Sequence, residues 1–176
     1  RHAVQKTEIR LYNVKSGSWY YFPGTGYRDA AVCYDGINYF LAAVRTESQN
    51  ASLVIFKVTE NKTHTRVIKT EQFSETVFPA GDVPFSITCG GGSSFAYLYK
   101  TRLDFSIRVY DVAGGTTAVY SVPAERISLR DLSLAANGKI KKTYLFSWAV
   151  PGTMPRLGEL VTDGTNGTFL LQTEDV

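Results

Sequence analysis

An all-β domain built from a degenerate repeat of about 50 residues is the fold this sequence predicts. Three observations point there. A six-residue apolar and aromatic pattern recurs along the chain. Each copy runs into a turn rich in Gly, Asn or Asp. Aromatic content is high at 13%, with 11 Tyr and 10 Phe, residue types suited to a pleated, half-buried surface. The units so defined describe four-stranded meanders, and a part of a β-propeller accounts for them best. A β-trefoil and a β-sandwich or jelly roll stay open as alternatives.

The repeat is clearest in Ile9-Arg10-Leu11-Tyr12-Asn13-Val14 and Ile107-Arg108-Val109-Tyr110-Asp111-Val112. Leu53–Val58 shares their register, and Leu157–Thr162 is a weaker fourth copy. The turns that follow are Lys15-Ser16-Gly17, Thr59–Lys62, Ala113-Gly114-Gly115 and Asp163–Gly167, where Gly and Asn tolerate the positive φ of tight hairpins. The next strands are expected at Ser18–Phe22, His64–Thr70, Thr116–Val122 and Thr168–Thr173.

A second hairpin precedes three of the copies: Ala30–Tyr34 into Asn38–Arg45, Pro84–Cys89 into Ser94–Arg102, and Ser128–Ala135 into Ile140–Val150. The count is fourteen strands in one domain, residues 1–176, divided into a half unit 1–27 and units 28–80, 81–125 and 126–176. No sustained helical period with caps occurs, so no helix longer than about two turns is expected. No Trp-Asp dipeptide repeats in the WD manner, no paired glycines recur in the kelch manner, and the Asp-box of sialidases is absent from the sequence. The Arg1 start reads as a processed terminus or an excised fragment.

Composition narrows the function classes. A net charge of +3 without a dense basic block does not imply nucleic acid, and no apolar run reaches the length needed for membrane insertion as a helix. Two cysteines, Cys33 and Cys89, define neither a disulfide scaffold nor a zinc site. Two buried thiols on neighbouring inner strands are the first reading, because both precede a Gly-containing turn in matching units. A Cys33–Cys89 disulfide in an oxidising compartment is the second. Three of the six asparagines stand in Asn-x-Ser/Thr tripeptides, at Asn50, Asn61 and Asn166, which makes a secreted or surface-exposed glycoprotein an expectation.

Catalytic signals are few. The two histidines stand at the terminus, His2, and on an expected outer strand, His64, and no Gly-x-Ser-x-Gly elbow is present. No cofactor or metal is called for; Asp163–Asn166 reads as a plain hairpin turn. Trp19, Tyr20, Tyr21 and Phe22 are consecutive, so on a strand two face each way.

The expected function is therefore a non-enzymatic recognition or assembly module for a protein or glycan partner, lectin-like, in an extracellular or viral surface protein. A glycoside hydrolase-like enzyme, or a fragment of one, is the alternative, since two carboxylates can come from distant strands. The loops entering each blade of a propeller and those joining its second and third strands usually share one face, where binding commonly occurs. Here that face collects the candidate binding residues Tyr27, Arg28, Arg45, Arg102, Asp104, Arg130 and Arg156, with Asp29, Glu47, Gln49, Asp82, Arg126 and Met154 nearby. Arginine is favoured at such surfaces because its planar group both pairs and stacks. The edge of the first half unit is expected to be completed by another chain or a second copy.

Overall fold

The computed structural model describes residues 9–14, 16–22, 26–47, 50–59, 69–101, 104–121, 130–136, 143–149, 156–162 and 167–171. These form fourteen strands and, among the described residues, no helix. β1 (Arg10–Asn13) and β2 (Ser18–Tyr21) make a two-stranded sheet. β3 (Tyr27–Tyr34), β4 (Tyr39–Glu47), β5 (Asn50–Thr59) and β6 (Lys69–Val77) form the first four-stranded meander. β7 (Val83–Gly91), β8 (Ser94–Lys100), β9 (Phe105–Asp111) and β10 (Thr116–Ser121) form the second. β11 (Arg130–Ala136), β12 (Thr143–Ala149), β13 (Arg156–Thr162) and β14 (Gly167–Leu171) form the third. Every strand pairs antiparallel with its chain neighbour inside its own sheet, so local hairpin contacts specify each sheet.

The sheets stack face to face, and the period-two alternation of side chains explains how. Leu41, Ala43, Val54, Phe56 and Val58 pack toward β1–β2, where Ile9, Leu11 and Tyr20 meet them. The alternate residues Phe40, Ala42, Val44, Leu53 and Ile55 pack instead with Phe95, Tyr97 and Tyr99 of the second meander. The other face of that meander, with Ala96, Leu98 and Ile107, packs on Tyr144 and Leu160 of the third. Three cores thus separate four sheets, and the two inner sheets are apolar on both faces. Their strands consequently read as near-continuous hydrophobic runs, as β5 does.

Between sheets, the leading contacts run from β3 to β7 and from β7 to β11, so the first strands of successive meanders lie side by side. β3 and β7 run in the same direction. The Asp29 carboxylate accepts a bond from the Ile87 amide at 2.9 Å, and further along both strands Cys33 is disulfide-bonded to Cys89 with Cα atoms 5.3 Å apart. Gly90, next to that bond, approaches the third sheet so closely that an added Cβ would lie 2.5 Å from the Tyr144 hydroxyl oxygen.

Two expectations need correction. Cys33 and Cys89 do lie on neighbouring first strands, but they are joined and not free. Their alignment in matching units is what brings the two sulfurs together, and a pair of aligned strands offers the Cα separation a disulfide needs. The fourth strand of the first meander is described as Lys69–Val77; it meets the expected His64–Thr70 only at Lys69 and Thr70, and residues 64–68 lie outside the described residues. This edge strand carries Glu71, Gln72 and Glu75, and its polar residues hide it from a search for apolar alternation.

Candidate functional site

Among the described residues, two candidate regions stand out: the rim at the end of the meanders that carries Tyr27, Arg45 and Asp104, and a cleft between the second and third meanders.

The register places the expected binding residues at one end of their sheets. Tyr27 pairs with Arg45, and Arg45 with Ser52, at the open end of the first meander. Asp104 immediately precedes β9 at the corresponding end of the second. In the third, Arg130 pairs with Ala149 and Arg156 with Trp148. The side chains of Arg130, Arg156 and Glu47 lie outside the described set, as do residues Arg102, Gln49, Arg126 and Met154.

The described rim side chains divide into structural and exposed ones. Tyr27 is core: it is buried, with its ring edge-on to Phe22 at 5.2 Å and to Phe56 at 5.9 Å. Asp29 sits at a bulge with φ of 37° and spends its carboxylate on the Ile87 amide. Arg45 reaches across β5 to Glu75, with Nη2 2.5 Å from Oε1. A hydrogen bond from the Ser52 hydroxyl, and then the Arg45 charge, hold the Glu75 carboxyl below its ordinary range against the opposing effect of burial. Asp82 accepts the Tyr99 hydroxyl at 2.5 Å; burial first, and this bond second, push Tyr99 up to about 12. Arg28 and Asp104 remain exposed. The Asp104 backbone is fixed by Thr101, whose amide donates to the Asp104 carbonyl at 3.0 Å and whose hydroxyl accepts the Asp104 amide at 2.9 Å. The Asp104 carboxylate thus stands on a backbone anchored to Thr101. Asn50, the described sequon, is exposed at the same end of the first meander, while Asn61 and Asn166 fall outside the described residues.

The cleft has a volume of about 500 Å³, within the size range of small-molecule sites. Gly90, Ser94, Asp111, Tyr120, Tyr144 and Thr162 contribute to its walls. By sequence alone the run Gly90-Gly91-Gly92 reads better as a tight turn than as an anion cradle, since no helix follows it. The structure carries β7 through Gly91, so Gly90 is a strand residue whose missing side chain makes room for Tyr144. The chemistry of the cleft is muted. Its one described carboxylate, Asp111, accepts the Ser93 hydroxyl at 3.1 Å and the Gly114 amide at 3.0 Å, closing the β9–β10 turn. Tyr144 is 1% exposed, and burial raises it to about 12 with a smaller contribution from Tyr120. Neither ring offers a face on which a ligand could stack. Among the described residues no group of three His, Cys, Asp or Glu could hold a metal ion.

Compared with known proteins, the chain matches no protein-family model, and no curated protein matches it either.

Proposed function

We propose that the chain is a propeller-type stack serving as a non-enzymatic recognition or assembly module, with a protein or glycan bound at the rim of strand starts. The observation that carries this reading is the side-by-side placement of β3, β7 and β11, from which each meander extends outward. Blades of a propeller are arranged in this way, and their shared rim is a rigid base for variable loops. The Asp29–Ile87 bond and the disulfide tie the first two meanders together below that rim. Arg28 and Asp104 then supply exposed charges of both signs.

The disulfide supports an oxidising, extracellular-type setting, because such bonds persist there. In that setting Asn50, exposed at the start of β5, is a fitting acceptor for an N-linked glycan. A hydrolase reading draws no support from the cleft, where the carboxylate of Asp111 serves the turn.

A glycan array probed with the intact chain separates a lectin from a protein binder. For whatever partner is retained, Arg28→Ala and Asp104→Ala should each weaken binding by about 10-fold, the effect of removing one charged contact. Unchanged affinity in both variants would remove the rim from consideration, and turnover of chromogenic glycosides would restore the enzyme reading.

A further inference from the structure

The three cores share one polarity. On the repeated strand, Ile9 and Leu11 face the sheet that follows, as do Leu53 and Ile55 and then Ile107 and Val109. The alternate residues face the sheet that precedes: Val54, Phe56 and Val58 in β5, and Tyr110 with the following Val112 in the second meander. At the two ends of the stack the same register positions are bare.

On β1–β2 the face of preceding polarity carries Tyr12, Trp19 and Tyr21, which are 50%, 52% and 40% exposed. Tyr12 lies on Trp19 with ring centroids 4.8 Å apart, and the Arg10 guanidinium carbon is 5.4 Å from the centre of the Tyr21 ring. The matching residues of the second meander are covered. Tyr110 is 8% exposed, and its hydroxyl is 3.2 Å from Ser74 Oγ of the sheet before it. Arg108 lies 3.5 Å over the Tyr99 ring. On β11–β14 the face of following polarity leaves Leu145 and Val161 44% and 40% exposed, with Glu159 beside them. Leu145 stands at the register of Ala42 and Ala96, both fully buried under the next sheet.

We propose that the bare face of β1–β2 receives the bare face of β11–β14 from a second copy of this chain, head to tail. The contact continues the polarity of the three internal cores. It lays Leu145 and Val161 on the Tyr12–Trp19 pair and places the carboxylate of Glu159 on the side that carries the Arg10 cation. Heterologous contacts of this kind build rings when the rotation closes and filaments when it does not. The proposal is independent of the rim reading, so Arg28→Ala and Asp104→Ala leave it untouched.

Sedimentation equilibrium of the full chain tests it, alongside Trp19→Glu, Val161→Lys and their equimolar mixture, each checked for fold by circular dichroism. The wild type should self-associate, and each substitution alone should weaken association by about 10-fold or more. The mixture should form one-to-one dimers that grow no further, because each copy keeps one intact face. Arg10→Glu should weaken association and be restored by Glu159→Arg in the same chain. Should a first-choice variant lose its fold, Tyr12→Lys with Leu145→Lys is read in the same way. A folded wild type that stays monomeric at every concentration would overturn the proposal and assign these faces to additional sheets of a longer protein or to a different partner. Association lost in Trp19→Glu but intact in Val161→Lys would overturn it in favour of two β1–β2 faces meeting each other.

Discussion

β1 and β9 carry nearly the same six residues, Ile9–Val14 and Ile107–Val112, yet they bury them differently. Ile107 is fully buried, and Ile9 also packs on a core, so the face toward the following sheet behaves alike in both. The other face does not. Val112 is 2% exposed and Val14 85%; Tyr110 is 8% exposed and Tyr12 50%. Identical local patterning therefore produces the same strand and hairpin, while the neighbouring sheet alone decides whether the second face is core or surface. Propensity forms the strand, and tertiary cover supplies most of its stabilisation.

The largest expected effect tests that division. Tyr110→Ala removes a buried ring and its contact with Ser74, and should destabilise the chain by about 3–5 kcal/mol, the range for large aromatic deletions in a core. Tyr12→Ala deletes the same atoms from an exposed position and should cost under about 1 kcal/mol, as surface substitutions do. Urea unfolding at a protein concentration where the wild type is monomeric checks both. Equal costs would mean that cover by the preceding sheet is not what separates the two copies.

Next comes the bond that holds the cover in place. Cys33 and Cys89 close a loop across 56 positions and join the sheet bearing Ser74 to the sheet bearing Tyr110. Replacing both by Ala should cost about 2–4 kcal/mol. The loss should fall on the interface between the first two meanders, so amide exchange should rise around Ile87 and Phe95 before it rises around Ile9. A double variant as stable as the wild type would show that apolar packing alone holds these sheets.

How much of this was legible in the sequence follows from which interactions are local. The hairpins were, because Gly17, Asp35-Gly36 and Gly114-Gly115 mark turns directly between paired strands. The split of Trp19 and Tyr21 outward from Tyr20 and Phe22 inward follows from alternation alone. β6 was displaced because its charged edge carries no apolar period. The rim was legible as a location but not as a surface. Nothing in the residue names says that Tyr27 turns into a core with Phe56, or that Arg45 is engaged by Glu75 from 30 positions away. The same applies to Gly90, whose need for close approach arises from Tyr144 in another sheet.

A smaller effect comes from Asp29, which joins the same two sheets near the rim. Asp29→Ala leaves the buried-side Ile87 amide without its acceptor and should cost about 1–3 kcal/mol, within the range for an orphaned buried donor. Asp29→Gly should cost less than this at the backbone, because the residue stands at a φ of 37°, a region where Gly is less strained than Ala. Thermal melts of the two variants separate the lost hydrogen bond from the strain. An Ala variant no worse than the Gly variant would show that the φ carries no cost.

The smallest expected effect is a pH dependence in the strand that covers Tyr110. Glu75 adjoins Ser74 on β6, and its carboxyl is held below the ordinary glutamate value of 4.5 by the Ser52 hydroxyl and by Arg45. A depressed pKa in the folded state favours the ionised form, so this contribution is fully present above pH 4.5 and is lost as pH falls through the lower folded value. Stability measured from pH 7 down to pH 3 should therefore decline on the acid side, and Glu75→Gln should flatten that part of the decline. Ser52→Ala should flatten it partly, since the hydroxyl is the leading cause of the shift. The comparison between the two strands then becomes sharper. Glu75→Gln combined with Tyr110→Ala should show a measurable coupling carried along β6, where Glu75 adjoins the Ser74 that meets the Tyr110 hydroxyl. Combined with Tyr12→Ala, whose ring stacks on Trp19 at the bare face, it should be additive to within about 0.5 kcal/mol. Coupling of equal size in both pairs would mean that β6 influences β1 as strongly as it does β9.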